Sequence, residues 1–399
     1  KSSTVLLDAI HENPYILTEV RGIGFKKADM IARDMGIELD DPHRIHAAIV
    51  YVLEQEQAEG NGYMEYNNLL NKCAELLGVD KDKIKFELES QIDKVIKVGN
   101  RFALEKVYNA EKYVAKRLLE MNREIKNKDD VDINQFLTKQ MEKHNIQLTD
   151  EQKRLFYNFV RYHVNFLIGN AGTGKSQLQK IIIDLIKELN LKCVLLAPTG
   201  KASKVLEQYT GHPASTIHRA IKIVDDDMDA INDIYADVII IDESSMCDVL
   251  LVAKLLRKIK NPNARLLFIG DDYQLPSVGV GNFLYDCINS GVLPVTRLTK
   301  VFRQKDGGIL DIATRIRKQE PFIERVFFGK KQFGKDLILH SLKQENMKKG
   351  YVHYYQQMLN TYNPEDILIL TPRKTGDLGT KAINSTIQDM VNPPSENKK

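Results

Sequence analysis

Beyond about residue 145, apolar runs alternate with stretches of helical periodicity. Four of the runs read VNFLIGN, LKCVLLAPT, ADVIIIDES and ARLLFIGDD. Near-continuous Val, Ile and Leu is typical of strands that are buried on both faces of a parallel sheet. A helix-length segment follows each run, so the pattern predicts an α/β fold with right-handed crossovers. A further run, DILILTPR, predicts a buried strand that begins another unit of this kind.

The first 108 residues show a different pattern, in which short helices alternate with polar turns. Within HRIHAAIVYVLEQEQAEG, apolar residues recur on one helical face at Ile45, Ile49, Val52 and Leu53. Two short β-leaning stretches, KVIKVG and RFALEKVY, are joined at Gly99 and Asn100, which predicts a hairpin. Helices closed by a hairpin indicate a winged-helix arrangement.

These patterns predict four parts along the chain. The charged segment NREIKNKDDVDINQ is poor in large apolar residues, which is typical of an exposed connection. The predicted parts are a mainly helical N-terminal domain at 1–108, a helical linker at 109–145, a first α/β lobe at 146–305 with a short hairpin insertion at about 221–236, and part of a second lobe at 306–399.

Composition excludes several classes of protein. Of the 399 residues, 43% are hydrophobic and 28% charged, and no apolar run approaches the roughly 20 residues of a membrane span, so we expect no membrane partner. Four scattered cysteines without a CxxC pair argue against structural zinc and disulfides, and favour a cytoplasmic location. The net charge of +3 leaves nucleic-acid affinity to locally placed Lys and Arg. The chain opens at Lys1 without a signal segment, and we expect it to be a piece of a longer protein.

The segment GNAGTGKS, which starts at Gly169, predicts a nucleotide site. It matches GxxxxGK[ST], follows the apolar run FLIG and precedes a helical stretch, although an ordinary Gly-rich turn can match by chance. Loop amides can wrap phosphates, Lys175 can reach the β/γ oxygens and Ser176 can bind Mg²⁺, so we expect ATP and Mg²⁺ as ligands. The predicted ATP-binding residues are Gln152, Gly169, Asn170, Ala171, Gly172, Thr173, Gly174, Lys175, Ser176 and Gln177.

Two adjacent acids, Asp242 and Glu243, end the apolar run VIIID. The carboxyl edge of a parallel sheet presents such residues to a crevice. We expect Asp242 to hold Mg²⁺ and Glu243 to activate water. Acids at a strand end are also typical of a helix N-cap, but the phosphate loop elsewhere in the chain favours the catalytic interpretation.

Three further polar residues have predicted roles around the nucleotide. Gln274, in LFIGDDYQLPSVGVG, is placed to sense the γ-phosphate, and Arg303, in LTKVFRQ, to supply positive charge in the transition state. Gln152, in LTDEQK, can hydrogen-bond adenine through its amide. The alternatives are a surface glutamine at 274 and a surface or phosphate-binding arginine at 303.

The segments LTDEQK, GNAGTGKS, LLAPTGKAS, STIHRAI, IDESSM, GDDYQLPSVGVG and VFRQ occur in this order. Together they resemble the RecD-like branch of superfamily-one DNA helicases, densely from Gln147 to about Arg317. ILTPRKTGDLGTKAINSTIQDMVNPP resembles the start of that family's second motor lobe. The resemblance implies two RecA-like P-loop lobes, ATP-driven movement on single-stranded DNA in the 5′ to 3′ direction, and further motifs after Lys399.

The resemblance also implies DNA contacts. The residues concerned are Pro198, Thr199, Lys201, Thr216, His218 and Arg373. A histidine satisfied in the core or at a helix start is the alternative for His218. The insertion at about 221–236 falls where these helicases carry a small hairpin that splits the duplex, which implies junctions of single- and double-stranded DNA as substrates.

The segment VRGIGFKKADMIA leads a glycine turn into a helical pattern, an arrangement that gathers backbone amides around an anion. It lacks the third glycine and the preceding strand of a dinucleotide site. With inner residues at Leu17, Val20, Ile23, Ala28 and Ile31, it looks like a helix-hairpin-helix that binds a DNA phosphate. The DNA-binding residues predicted here are Gly22, Gly24, Lys26 and Lys27. A plain helical hairpin capped by glycine is the alternative.

The same region resembles the N-terminal part of the longer RecD-like helicases. We therefore expect an ATP-hydrolysing DNA helicase or translocase in DNA repair or recombination. Two alternatives stay open. One is an RNA helicase or other NTPase stimulated by nucleic acid, and the other is a DNA-binding repair adaptor that ATP switches without strand separation.

Overall fold

The computed structural model describes residues 2–125, 131–222, 232–302 and 307–392. The chain separates into two compact units, 1–303 and 304–399. Arg303 and most of the expected hairpin insertion at 221–236 lie outside the described residues. The finer division of the first unit into an N-terminal domain, a linker and a lobe stays a prediction.

The N-terminal part of the first unit is mainly helical. Asp41 caps α3 by accepting from the backbone N–H groups of His43 and Arg44, and Pro42 starts the helix, which is the position where proline is tolerated best. The elements are α1 (Ser2–Glu12), a 3₁₀ helix (Pro14–Glu19), α2 (Phe25–Asp34), α3 (Pro42–Ala58), β1 (Met64–Glu65), α4 (Tyr66–Leu77), α5 (Lys81–Leu88), β2 (Val95–Val98), β3 (Arg101–Leu104) and α6 (Glu105–Met121).

The expected hairpin is confirmed. β2 and β3 pair in antiparallel fashion with Val98 opposite Arg101, so Gly99 and Asn100 form the two-residue turn. Gly99 has φ +57°, the left-handed conformation that such turns require. β1 joins the other edge of β3 and completes the winged-helix-like sheet. The four apolar residues expected on one face of α3 are all buried.

The α/β part of the first unit follows. Its helices are α7 (Ile133–His144), α8 (Asp150–Arg161), α9 (Lys175–Glu188), α10 (Gly200–Thr210), α11 (Ile217–Ala220), α12 (Val249–Lys258) and α13 (Phe283–Asn289), with a 3₁₀ turn at Ser244–Met246. Its strands are β4 (Val164–Gly169), β5 (Cys193–Ala197), β6 (Ala214–Thr216), β7 (Val238–Ile241), β8 (Arg265–Gly270) and β9 (Val295–Leu298).

These strands form one parallel sheet in the order β6-β5-β7-β8-β4-β9. Every residue of β4, β7 and β8 is buried, which confirms the expected α/β fold and explains the apolar runs. The edge strands β6 and β9 were missed because they are short and only partly buried, and so lack a continuous apolar run. The strand order puts β8 between the strand of the phosphate loop and the strand of the acid pair.

The two faces of the sheet have separate cores. On one face, α7, α8 and α9 cover β4, β7 and β8 with residues such as Phe156 and Ile182. On the other face, the core continues without interruption into the N-terminal helices. α6 packs along α12 at this junction. The winged-helix-like part is therefore built onto the sheet.

The second unit contains α14 (Gly308–Arg317), a hairpin of β10 (Gly329–Phe333) and β11 (Leu337–Ser341), α15 (Met347–Leu359) and α16 (Thr380–Val391), with 3₁₀ turns at Gln344–Asn346 and Pro364–Asp366. The expected buried strand DILILTPR is wrong. Leu368 and Leu370 in it are 71% and 85% exposed. A buried strand needs partners for its backbone, and within residues 307–392 the strands β10 and β11 pair with each other.

Candidate functional site

The loop after β4 borders an open cavity of about 850 Å³ at the carboxyl edge of the sheet. Most of the predicted phosphate loop from Asn170 to Gln177 lines it, together with Gln152, Glu243 and Gln274. Gly169 and Thr173 belong to the loop but do not line the cavity. A Cβ atom at Gly169 would stand 2.6 Å from the Thr173 hydroxyl, so only glycine fits. The fold thus brings residues from four separate segments to one cavity.

The backbone conformation of the phosphate loop and the hydrogen bonds to its carbonyls hold it in a shape that can accept phosphate groups. Gly172 and Gly174 have φ of +82° and +90°, which favours glycine at both positions. The Lys175 ammonium donates to the carbonyl of Gly169 and to that of Asn170, the latter at 3.1 Å. Gly174 is the N-cap of α9, so the positive end of that helix faces the cavity. A phosphate bound there would meet amides, a helix dipole and a lysine.

Asp242 lies directly after β7, and both of its carboxylate oxygens are held. The backbone N–H of Glu243 donates to Oδ1 at 2.9 Å, and the Tyr209 hydroxyl donates to Oδ2 at 2.8 Å. The Ser176 side chain lies next to the Tyr209 hydroxyl. Burial and the adjacent Asp242 carboxylate raise the pKa of Tyr209, so the phenol stays protonated and donates. Sequence patterns gave no signal for Tyr209.

Ser176 and Asp242 have the chemistry of a Mg²⁺ site. Both side chains lie beside the Tyr209 hydroxyl, which donates to Asp242 and has Ser176 as a neighbour. Among the described residues, no group of three or more His, Cys, Asp and Glu side chains could hold a metal by itself. Mg²⁺ suits a site with few protein ligands, because it keeps several waters and takes phosphate oxygens.

Glu243 begins the 3₁₀ turn at Ser244 but makes no capping bond with its side chain. That geometry speaks against the N-cap interpretation. Burial raises the pKa of Glu243, and the neighbouring Asp242 carboxylate adds to the shift. A carboxylate with a raised pKa in a half-buried site is a stronger general base than an exposed one.

Gln274 follows β8, and its Oε1 accepts from the Ser245 hydroxyl at 3.2 Å. Its backbone N–H donates to the carbonyl of Asp271, a buried acid. The Gln274 side chain therefore spans from the loop after β8 to the loop after β7.

Gln152 is tied to the protein at both ends of its amide. Oε1 accepts from the Thr149 backbone in a capping box, and Nε2 donates to the Thr173 carbonyl at 3.3 Å. The adenine contact stays a prediction. Phe302, which the sequence interpretation missed, lines the cavity and donates its backbone N–H to the Gly172 carbonyl. The sequence feature that could have indicated Phe302 is its position in VFRQ, directly before the predicted site residue Arg303.

The expected DNA contacts of the first lobe meet at one place. β5 and β6 are neighbouring parallel strands with Ala197 opposite Thr216, so Pro198 and Thr199 lie beside Thr216. Thr199 caps α10 and Thr216 caps α11, the short helix that carries His218. The Lys201 side chain is exposed. Arg373 lies in the second unit, where its exposed side chain borders a cavity of about 560 Å³.

The glycine turn near the N-terminus joins a 3₁₀ helix to α2. Gly22 has φ +92°, and no atom stands within 4 Å of a Cβ built at Gly22 or at Gly24, which is the N-cap of α2. The Lys27 ammonium donates to the Gly22 carbonyl at 3.0 Å, and Lys26 is exposed. The turn is therefore open to a bulky anion.

The core under this turn differs from the expected one. Val20, expected to face inward, is 51% exposed. Phe25 takes its place and stacks on Tyr15 and Tyr51, with ring centroids at 6.1 and 5.3 Å. The Val20 backbone hydrogen-bonds to Leu17 and Ile23 within the turn, while the Phe25 ring occupies the core below it.

Two family models match the chain, one in its N-terminal part and one that covers the α/β part and extends past residue 303. Residues 3–63 match the family described as the ATP-dependent RecD2 DNA helicase HHH domain, and residues 147–327 match an AAA domain. The ATP-dependent RecD2 DNA helicase of Deinococcus radiodurans is 27% identical over 408 residues, which cover 97% of this chain and 54% of that protein. These matches support a RecD-like superfamily-one helicase.

Other relatives match smaller parts. The ATP-dependent DNA helicase dda of phage T4 is 33% identical over 202 residues, 46% of this chain and 45% of dda. A crystal structure of the Pif1 helicase from Candida albicans matches 44% of this chain and 46% of its own, with 26% identity and a TM-score of 0.34. The chain spans about half the length of its RecD2 relative. In the described residues, no helix has the length and apolar character needed to cross a membrane.

Proposed function

We propose that this chain is the ATP-hydrolysing part of a DNA helicase that moves along single-stranded DNA. The observation that carries the proposal is the single cavity at the sheet edge, where the phosphate loop, Glu243 and Gln274 converge. The helicase names of its relatives support the same function. Movement in the 5′ to 3′ direction, action at junctions, and a place in DNA repair or recombination rest on the family resemblance.

In this proposal, the loop from Gly169 to Gln177 wraps the phosphates and Lys175 exchanges its loop carbonyls for the β/γ oxygens. Ser176 and Asp242 would hold Mg²⁺, which neutralises charge on those oxygens when bound. Glu243 takes the proton of the attacking water on its carboxylate. Gln274 senses the γ-phosphate through its place between the two loops, and Arg303 supplies transition-state charge.

DNA binding involves two surfaces in this proposal. The carboxyl ends of β5 and β6 present Thr199 and Thr216, with Lys201 and His218 nearby, to single-stranded DNA. The Gly22 to Lys27 turn presents open amides and two lysines to a DNA phosphate. Such contacts position the backbone without reading its sequence.

The deciding experiment is steady-state ATP hydrolysis with and without oligothymidylate, compared between wild type and Lys175→Ala. We expect the variant to lose at least about 100-fold in rate, because it removes a cation from developing phosphate charge. Lys187→Ala, an exposed lysine of the same helix, is the matched control and should retain activity. Hydrolysis that persists in Lys175→Ala would refute the site.

The same assay separates the alternatives. Stimulation by RNA well above that by DNA would favour an RNA helicase. A chain that binds ATP and DNA, changes its DNA affinity with ATP and hydrolyses nothing would be the ATP-switched adaptor.

A further inference from the structure

Tyr209 hydrogen-bonds to one of the residues that the proposed function assigns to Mg²⁺ and lies next to the other. Its hydroxyl donates to Asp242 Oδ2 at 2.8 Å, and the Ser176 side chain is its neighbour. The side chain is half-buried against the core under α9 and α10. No other hydroxyl in the described residues is recorded as donating to the Asp242 carboxylate.

The helix that carries Tyr209 starts at the proposed DNA surface. α10 runs from Gly200 to Thr210, with Thr199 as its N-cap and Lys201 in its first turn. At a rise of about 1.5 Å per residue, it spans on the order of 16 Å. Ser203 and Leu206 bury its inner face, so the helix packs closely on the protein core. One end therefore lies at the DNA contacts and the other at Asp242.

We propose that Tyr209 is a positioning residue that fixes the Asp242 carboxylate for Mg²⁺ and links the DNA-contacting end of α10 to the metal site. The inference rests on the proposed function. With Oδ1 held by the Glu243 N–H and Oδ2 by the Tyr209 hydroxyl, the carboxylate has one orientation and still has lone pairs free for the ion. A shift of α10 when Thr199 and Lys201 bind DNA moves the Tyr209 hydroxyl, and the carboxylate follows it.

The test is Tyr209→Phe, which removes the hydroxyl and keeps the ring. A fluorescent, non-hydrolysable ATP analogue is titrated against the whole chain at increasing Mg²⁺ and in EDTA. We expect the Mg²⁺ concentration at half-maximal binding to rise about 10- to 150-fold, the range for one hydrogen bond to a charged group. Affinity in EDTA should stay at the wild-type value, because the ring still packs.

Oligothymidylate gives the second readout. In wild type we expect it to change the Mg²⁺ requirement, and in Tyr209→Phe we expect that change to be largely lost. Tyr157→Phe is the matched control, since its hydroxyl also donates a hydrogen bond, to Asn134 Oδ1 at 2.6 Å, on another helix. It should behave as wild type in both titrations.

Each outcome has a distinct meaning. Absence of Mg²⁺-dependent nucleotide binding in wild type would refute the proposed function itself. Normal binding in wild type with an unchanged Mg²⁺ requirement in Tyr209→Phe would refute the positioning role. A variant that also loses affinity in EDTA, or melts at a lower temperature, would show that Tyr209 only supports the fold. A DNA effect that survives in Tyr209→Phe, or is absent in wild type, would refute the link through α10.

Discussion

Glu243 has a backbone conformation that few residues other than glycine adopt. Its φ of +49° turns the chain sharply between β7 and the 3₁₀ turn that follows. This turn brings the carboxyl group into the cavity and out of water. Burial, followed by the Asp242 charge, raises its pKa, so the ionised form is destabilised in the folded protein. Strained residues of this kind are concentrated at functional sites.

Glu243→Gln should therefore abolish hydrolysis while it stabilises the fold. We expect a loss of about 100-fold or more in hydrolysis, since the general base is gone, with ATP still bound. At pH 7 the variant should melt roughly 1–3 °C higher, because glutamine carries no buried charge. The folded carboxyl has the higher pKa, so the penalty exists above that pKa and fades as the pH falls through it. The melting temperatures of wild type and Glu243→Gln should therefore converge as the pH is lowered from 7.

Glu188→Gln, at an exposed position of α9, is the control and should change neither quantity. Equal hydrolysis in wild type and Glu243→Gln would show that another group activates the water. A stability gap that widens on acidification would contradict the assigned direction of the pKa.

At the scale of elements, the glycine turn before α2 is preorganised for an anion. Open space around Gly22 and Gly24 lets a phosphate approach the N-terminus of α2. The Lys27 side chain folds back over the turn to the Gly22 carbonyl, which holds its ammonium close to that space. A plain helical hairpin would not need the lysine there.

Lys26→Ala combined with Lys27→Ala should weaken DNA binding and leave ATP hydrolysis without DNA unchanged. Each lost phosphate contact lowers the salt slope of log K by about 0.7 to 0.9, so we expect a decrease of roughly 1–2. Fluorescence anisotropy with a labelled oligonucleotide over a salt series measures it. The double change of Lys112 and Lys116 to Ala, exposed on α6, is the control. An unaltered slope would leave the turn as a structural hairpin only.

At the scale of the first unit, the N-terminal helices and the ATPase sheet depend on one shared core. α6 packs along α12, and the Gly281 backbone N–H donates to the Gly60 carbonyl at 3.0 Å. Gly281 belongs to the loop that begins after β8 and carries Gln274. The winged-helix-like part therefore braces the loop that carries Gln274.

Leu118→Ala tests the shared core. Leu118 is 1% exposed on α6, so truncation should cost about 2–5 kcal/mol in the free energy of unfolding. Because the two parts share one core, Leu118→Ala should lose nucleotide binding at a lower urea concentration than wild type does. This is expected although Leu118 lies outside the sheet. Leu119→Ala, at a neighbouring position that is 53% exposed, should stay within about 0.5 kcal/mol of wild type. If nucleotide binding survives to the same urea concentration in Leu118→Ala, the two parts unfold independently.

The sequence by itself determined the elements whose signal is local. The central strands were predictable because strands buried on both faces need continuous Val, Ile and Leu. The hairpin at Gly99 and Asn100 was predictable because its turn needs a left-handed residue. The phosphate loop was predictable because Lys175 and Ser176 must sit at fixed offsets from its glycines.

Tertiary structure alone decided what depends on neighbours. The edge strands β6 and β9 became strands by pairing with the sheet, and DILILTPR did not because no strand of residues 307–392 pairs with it. Val20 faces outward because Phe25 fills the core below the turn. Tyr209 lies near the end of α10 and donates to Asp242, which follows β7 and stands 33 residues later in the chain. Long-range contacts of this kind leave no periodic trace in the sequence, since they arise only when separate segments pack together.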